Sequence, residues 1–109
     1  MRRVDEAVRE VLSGAISLKV KDPRVGFVTV TAVETAPDLR HARVFVSVLG
    51  DEPVRRRSMQ GLQSAHGILQ RAVASELRLK HTPTLEFVYD DTSERGFRIA
   101  ELIDREADA

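Results

Sequence analysis

Two stretches of alternating side chains limit most strongly what this chain can fold into. Residues 27–35 (FVTVTAVET) and 40–50 (RHARVFVSVLG) are rich in β-branched residues, and APDL at 36–39 has the composition of a turn. In the first stretch Val28 and Val30 share one face. In the second, the residues on one face are Ala42, Val44, Val46 and Val48. This spacing predicts an antiparallel hairpin with one face buried.

An amphipathic helix is predicted before the hairpin. Apolar residues recur there at three- and four-residue intervals, which gives one apolar stripe. Pro23 and Gly26 end the helical pattern, so we expect the helix to stop between Ser17 and Val20. The stripe consists of Val4, Ala7, Val8, Val11, Leu12, Ala15 and Ile16.

A second amphipathic helix and a third strand follow the hairpin. Pro53 suits a first helical position, and Asp51 or Glu52 suits the negative charge favoured at a helix start. Pro83 places the helix end near Lys80, and residues 84–90 (TLEFVYD) read as a strand. The stripe of this helix consists of Leu62, Ala65, Leu69, Ala72, Val73 and Leu77.

The order helix–strand–strand–helix–strand predicts a two-layer α+β domain, with the helices on one face of a three-stranded sheet. The 109 residues fit one such domain, and with 42% hydrophobic residues and no cysteine its core needs no disulfide. No apolar run approaches membrane-spanning length, and the chain starts with charge rather than with a signal peptide. We therefore expect a cytoplasmic protein.

The net charge of zero conceals an asymmetry. Residues 1–85 carry 14 Lys and Arg against 9 Asp and Glu, and residues 86–109 carry 3 against 8. Such a division is found in proteins that bind a polyanion, although scattered surface charge also produces it. The basic residues that would contact phosphates are Lys19, Lys21, Arg24, Arg71, Arg78 and Lys80. The run Arg55–Arg57 is either a further phosphate contact or a hydrated surface run.

Gly67 interrupts the second helix, where a glycine costs about 0.5–1 kcal/mol relative to alanine. Two explanations remain open from the sequence. The glycine either allows tight packing against the sheet, or it marks a bend together with Ala65. A bend would expose backbone N–H groups at the start of a new helical segment, and such groups attract phosphate.

The residues that an enzyme would need are scarce. His41, His66 and His81 are spread over different elements, without the spacing of a zinc site. Glu86, Asp90 and Asp91 would suit a carboxylate cluster for metal binding or acid–base chemistry, but adjacent aspartates at a strand end are more typical of turns and caps. A binding protein without catalytic activity or cofactor is therefore favoured over a metal-dependent hydrolase.

The chain resembles the ribosome-binding factor A family. The resemblance covers nearly the whole chain and is most specific in DPRVGFVTVTAVETAPDLRHARVFVSVLG (22–50) and LRLKHTPTLEFVYDDTSERGFRIAELI (77–103). It implies a KH-like fold of type II, in which an Ala-x-Gly kink replaces the usual G-x-x-G loop. Here the kink would consist of Ala65, His66 and Gly67, which become candidate RNA-binding residues.

The resemblance also implies a function. It predicts binding to the immature 30S small ribosomal subunit and its 16S rRNA, maturation of the 5′ region of that rRNA, and a role in cold adaptation. We expect a monomer with one RNA-binding domain at 1–103 and a short acidic tail at 104–109. A protein–protein interaction module of a ribosome-associated complex is the alternative.

Overall fold

The computed structural model describes residues 2–78 and 81–91. It confirms the predicted α+β class, with a three-stranded sheet, and divides the second predicted helix into two helices. The elements are α1 (Arg2–Lys19), β1 (Val28–Thr35), β2 (His41–Val48), α2 (Glu52–Ser64), α3 (His66–Glu76) and β3 (Thr84–Tyr89). Lys80, the predicted helical turn near the C-terminus and the acidic tail lie outside the described residues.

The sheet has the order β1–β2–β3, with an antiparallel pair followed by a parallel pair. All four β2 residues predicted to face the core are buried. In β1 the register shifts between Val30 and Ala32, so that Thr31 is the extra residue of a β-bulge. Because of this shift Val33, rather than Ala32, follows Val30 on the buried face. The sequence alternation did not predict the bulge.

Helix α1 runs antiparallel to β1 and covers it. The Asp5 carboxylate in the first turn accepts a hydrogen bond from the backbone N–H of Thr35, at 3.0 Å, and the end of α1 leads back to the start of β1. The predicted end of this helix is confirmed, at Lys19. The stripe faces the core as expected, since its buried members are Val8, Leu12, Ala15 and Ile16.

Helix α2 begins with a side-chain cap. The Asp51 carboxylate accepts a hydrogen bond from the N–H of Val54 at 3.1 Å, as its predicted position at the helix start allows. Pro53 is the second residue of the helix, rather than the first as predicted, because the helix begins at Glu52. Neither proline nor cap disturbs the helical hydrogen bonds at this end.

The predicted helix end near Lys80 is wrong, because α3 already ends at Glu76 and Leu77 is extended. The side-chain amide of Gln70 donates to the Pro83 carbonyl, and its oxygen accepts from the N–H of Leu85. These bonds hold the start of β3 against α3. The chain must therefore leave the helix early enough to return to Pro83, which is fully buried.

Among the helices of the described residues, none combines the length and the apolar content that a bilayer crossing requires.

Candidate nucleic-acid interface

The break between α2 and α3 lies at Ala65. This residue has φ −86° and ψ 7°, so it ends one helix and precedes the next. Its N–H donates to the carbonyls of Gly61 and Leu62 at 3.0 and 3.1 Å, and its own carbonyl accepts from the N–H of Leu69 at 3.1 Å. The backbone is therefore hydrogen-bonded through the bend. Ala65 itself is buried, which fixes the kink against the core.

The start of α3 has no side-chain cap. The methyl group of Ala65 offers no acceptor, and no side-chain capping bond is formed there. The first residues of the helix are accessible, with His66 half-buried and Gly67 exposed. Backbone N–H groups of an uncapped first turn depend on water or on a bound anion for their partners. The kink thus presents the kind of helix start that can receive a phosphate.

Gly67 does not serve tight packing. A Cβ atom built on it would meet nothing within 4 Å. The interpretation that the glycine fits against the sheet is therefore wrong, and the bend itself lies two residues earlier, at Ala65.

The glycine that does allow a close approach is Gly61 in α2. It is buried, and a Cβ atom there would lie 2.5 Å from Cγ2 of Val25 and 3.4 Å from Cβ of Arg24. One turn earlier, the buried Ser58 hydroxyl accepts from the N–H of Gly26 at 3.1 Å and donates to the Arg24 carbonyl at 3.3 Å. Small side chains on α2 thus let the segment 20–27, here called the α1–β1 loop, lie along the helix.

Sequence reasoning missed Ser58 and Gly61. A signal was present, because Ser58, Gly61 and Ser64 recur every third residue and so share one face of α2. Small residues at that spacing indicate a close neighbour. They do not indicate which segment of the chain it is.

Arg24, a predicted phosphate contact, is held within the protein. Its guanidinium donates to the Asp22 carboxylate, with a shortest distance of 2.6 Å, and to the Ser64 hydroxyl at 3.0 Å. The side-chain hydrogen bonds from Arg24 to Asp22, together with one from the backbone N–H of Arg24, lower the pKa of Asp22 to about 2. The cluster ties the α1–β1 loop to the end of α2 immediately before the kink.

The low pKa of Asp22 predicts a pH-dependent contribution to stability. A carboxyl group whose pKa is lower in the folded than in the unfolded state stabilises the fold at pH values above its unfolded pKa, which is about 3.9 for aspartate. This stabilisation is lost as the pH falls from the unfolded pKa through the folded pKa. We expect Asp22→Asn to lower the urea midpoint at pH 7, with the difference from wild type closing between about pH 4 and about pH 2. Urea titrations across this range, followed by circular dichroism, measure it. A gap that keeps its full size at pH 2 would contradict the assignment.

Four other predicted contacts are exposed and have no ion-pair partner among the described residues. Lys19 is the last residue of α1, Lys21 lies in the α1–β1 loop, Arg71 is on α3, and Arg78 follows that helix. These four side chains are therefore accessible to an external anionic partner. Lys80, the sixth predicted cation, lies outside the described residues.

The three consecutive arginines of α2 make contacts within the chain. Arg55 lies over the ring of Tyr89, at 4.9 Å from its centroid, and donates to the Tyr89 hydroxyl at 3.0 Å. Arg56 faces Glu52 at 3.6 Å, and Arg57 donates to the Pro53 carbonyl at 3.4 Å. Arg56 and Arg57 are nevertheless exposed, and contacts of this kind at the surface contribute little to stability.

The sheet face away from the helices carries more negative than positive charge. Glu34, Arg43 and Glu86 are exposed neighbours in one row across the three strands, so a cation stands between two carboxylates. Nearby, the Asp90 carboxylate accepts from the Thr31 hydroxyl at 2.6 Å. No group of three or more metal-ligating side chains occurs in the described part of the chain. This face is a poor surface for a polyanion.

The amino-acid sequence is similar to those of known proteins. A family model described as "Ribosome-binding factor A" matches residues 1–103. A protein of that name from Halothermothrix orenii is 46% identical over 102 residues, which cover 94% of this chain and 84% of that protein.

Solved structures are similar as well. The crystal structure of ribosome-binding factor A from Thermus thermophilus matches with a TM-score of 0.72 and 26% identity, over 81% of this chain and 93% of that one. A homology model of the Thermus thermophilus protein, fitted into the cryo-EM map of its complex with the 30S subunit, matches with a TM-score of 0.66 and 28% identity, over 79% and 90% of the two chains.

Proposed function

The chain belongs to the ribosome-binding factor A family, and on that premise we propose that it is an assembly factor for the small ribosomal subunit. It binds the immature 30S subunit through the 16S rRNA and assists maturation of the 5′ region of that rRNA, including during growth in the cold. It acts in the cytoplasm, as a monomer and without a cofactor. The related Thermus thermophilus protein, which has been fitted into the map of a 30S complex, supports the choice of partner.

The observation that carries the RNA-binding proposal is the kink with its surrounding cations. The first turn of α3 has no side-chain cap, and Arg71 lies about one turn further along the same helix. Lys21 belongs to the loop that Arg24 attaches to Ser64, the residue before Ala65. A phosphate at the helix start and further phosphates at these side chains would be bound by one continuous region of the protein.

The charge distribution supports one direction from which the RNA approaches. The open sheet face carries the row of Glu34, Arg43 and Glu86, in which two carboxylates flank one cation, whereas the predicted contacts that are exposed lie on α1 and α3 or next to them in the chain: Lys19, Lys21, Arg71 and Arg78. We therefore expect the RNA to contact the helical side of the molecule. Binding through phosphates reads the shape of the RNA more than its sequence. Arg24 contributes by holding the loop, since its guanidinium is already engaged by Asp22.

Substitution of single cations tests this proposal. We expect Arg71→Gln and Lys21→Gln each to weaken binding to purified immature 30S subunits and to reduce the slope of log affinity against log salt by about 1. Co-sedimentation at several salt concentrations measures both quantities. Arg40→Gln is the matched control, because Arg40 is an exposed cation in the turn between β1 and β2, at the other end of β1 from the α1–β1 loop.

Three outcomes would overturn the proposal. Binding that does not change with salt, or that Arg40→Gln weakens as much as Arg71→Gln does, excludes phosphate contacts at the kink. Binding that survives nuclease treatment of the subunits and saturates with a protein component favours an interaction module instead.

A further inference from the structure

An apolar row crosses the open sheet face. Ala32, Phe45 and Val88 are paired in register across the three strands. Ala32 is exposed, and the other two side chains are half-buried. The neighbours of Phe45 in β2, Val44 and Val46, are fully buried on the core side. Because side chains alternate between the two faces of a strand, the apolar row projects away from the core.

A second apolar group lies at one end of this face. Phe27 is 81% exposed and Leu49 is 75% exposed. The N–H of Leu49 donates to the Phe27 carbonyl at 3.0 Å, which continues the β1–β2 ladder beyond the pairing of Val28 with Val48. Val48 is buried, so the side chains one position further along the ladder project from the open face. Large apolar side chains that adjoin each other at the surface indicate a contact site.

Carboxylates flank the apolar row on both sides. Glu34 and Glu86 are exposed in the adjacent row, with Arg43 between them. Asp90 follows β3 on the other side of the apolar row, and its carboxylate accepts from the Thr31 hydroxyl at 2.6 Å. Three carboxylates and one cation therefore surround the apolar side chains. The resulting potential is negative, which repels phosphates and attracts a cationic ligand.

One shallow depression joins the apolar side chains to these carboxylates. It has a volume of about 450 Å³, and its lining includes Ala32, Phe45 and Val88 together with Glu34 and Asp90. A ligand in this depression would contact apolar and negatively charged groups at the same time. The complementary ligand combines apolar side chains with positive charge.

The dimensions of the face suit a short extended segment. Residues on one face of a strand repeat every about 7 Å and neighbouring strands are about 5 Å apart, so four rows on three strands measure roughly 20 Å by 10 Å. A stable interface between folded proteins, such as two copies of this chain, needs about 800 Å² from each partner. An extended peptide has the same repeat of about 7 Å, so its alternate side chains can match successive rows.

We propose that the open sheet face binds an extended basic segment of another protein, in which lysine or arginine alternates with large apolar residues along one side. The basic side chains lie beside Glu34 and Glu86 and beside Asp90, and the apolar side chains contact Phe45 and Leu49. This interaction goes beyond the proposed function, because it uses the face opposite to the helical side that is assigned to RNA. The molecule could thus hold an RNA and a basic protein segment at the same time.

A synthetic peptide provides the direct test. The labelled probe KTITKTIT presents alternating lysine and isoleucine on one side when it is extended. We expect the full chain to bind it at least about tenfold more tightly than the rearranged peptide KKTTIITT, as measured by fluorescence anisotropy. The charge-reversed peptide ETITETIT should bind no better than the rearranged one. Equal affinity for the probe and for either of these two peptides overturns the proposal.

Two matched pairs of variants locate the contact. Leu49→Ser should weaken binding of the probe about tenfold, whereas Leu18→Ser, at a residue of α1 that is 78% exposed, should have no effect. Glu86→Gln should weaken it about threefold, and Glu10→Gln, at an exposed carboxylate of α1, should not. Unchanged thermal midpoints show that the fold is intact. Equal losses within either pair contradict binding at the open sheet face.

Other occupants of the face would give different results. If Leu49→Ser weakens the binding of single-stranded RNA instead of the peptide, the face binds RNA and the proposal is wrong. If the wild-type chain dimerises in sedimentation equilibrium and Leu49→Ser abolishes the dimer, the occupant is a second copy and the proposal is also wrong. The peptide measurements use the isolated chain, so failure to bind 30S subunits would remove the proposed function without changing their outcome.

Discussion

Gly61→Val should destabilise the fold by about 3 kcal/mol, whereas Gly67→Ala should leave stability unchanged or raise it by up to about 1 kcal/mol. The two glycines lie only six residues apart but differ in their surroundings. A Cβ atom at Gly61 meets Val25 at 2.5 Å, and a Cβ atom at Gly67 meets nothing within 4 Å. Valine at 61 must displace the α1–β1 loop, while alanine at 67 only reduces the backbone entropy of the unfolded chain. Urea unfolding followed by circular dichroism measures both changes.

Relief of the clash provides the control for this prediction. Val25→Ala removes the methyl group closest to the position of the added Cβ atom. In a double-mutant cycle we therefore expect Gly61→Val to be less destabilising in the Val25→Ala background than in wild type, with an interaction energy of about 1 kcal/mol. Additive effects of the two substitutions would show that the loop does not pack on Gly61. Destabilisation by Gly67→Ala would show that Gly67 is not open.

The sequence predicted the hairpin and the helical stripes because their burial follows the local period of the chain. Ala42, Val44, Val46 and Val48 alternate in one strand, and the whole set is buried. Val8 and Leu12 are four residues apart and meet the core on the same side of α1. Such patterns are set within a few residues of each other. They are therefore visible before any tertiary contact is known.

The features that the sequence did not predict depend on contacts between distant segments. The extra residue at Thr31 is visible only once β1 is aligned with β2, and it brings the Thr31 hydroxyl to Asp90. The end of α3 at Glu76 follows from the bonds of Gln70 to the start of β3. Neither the secondary-structure propensity of single residues nor the spacing of apolar residues indicates which distant residues will be in contact.

In the candidate site, too, the features set by nearby residues could be predicted and those set by distant residues could not. Exposure of Lys19, Lys21 and Arg71 could be expected from their place outside the apolar stripes. The pairing of Arg24 with Asp22 could also be suspected from their spacing, but its bond to Ser64 joins residues 40 positions apart. Gly67 is conspicuous in the sequence because it breaks a helical pattern, whereas the close contact of Gly61 depends on a loop that precedes it by more than 30 residues.

Leu69→Ala should lower the free energy of unfolding by about 3 kcal/mol and the thermal midpoint by more than about 10 °C. Leu69 is fully buried, and its N–H donates to the carbonyl of Ala65, so it anchors the first turn of α3 to the core. Loss of its side chain leaves a cavity beside the kink. Against the total of about 5–15 kcal/mol for a domain of this size, the expected change is large. Thermal unfolding followed by circular dichroism measures the shift.

Ile68→Ala is the matched control, because Ile68 is adjacent in the same helix but 39% exposed. It should cost less than half as much as Leu69→Ala. An equal loss in both variants would contradict the burial of Leu69. If the kink is the phosphate site, binding of Leu69→Ala to immature 30S subunits should weaken even well below its thermal midpoint, because a loosened first turn no longer holds its N–H groups in a fixed direction. Wild-type affinity in folded Leu69→Ala would separate the rigidity of the kink from RNA binding.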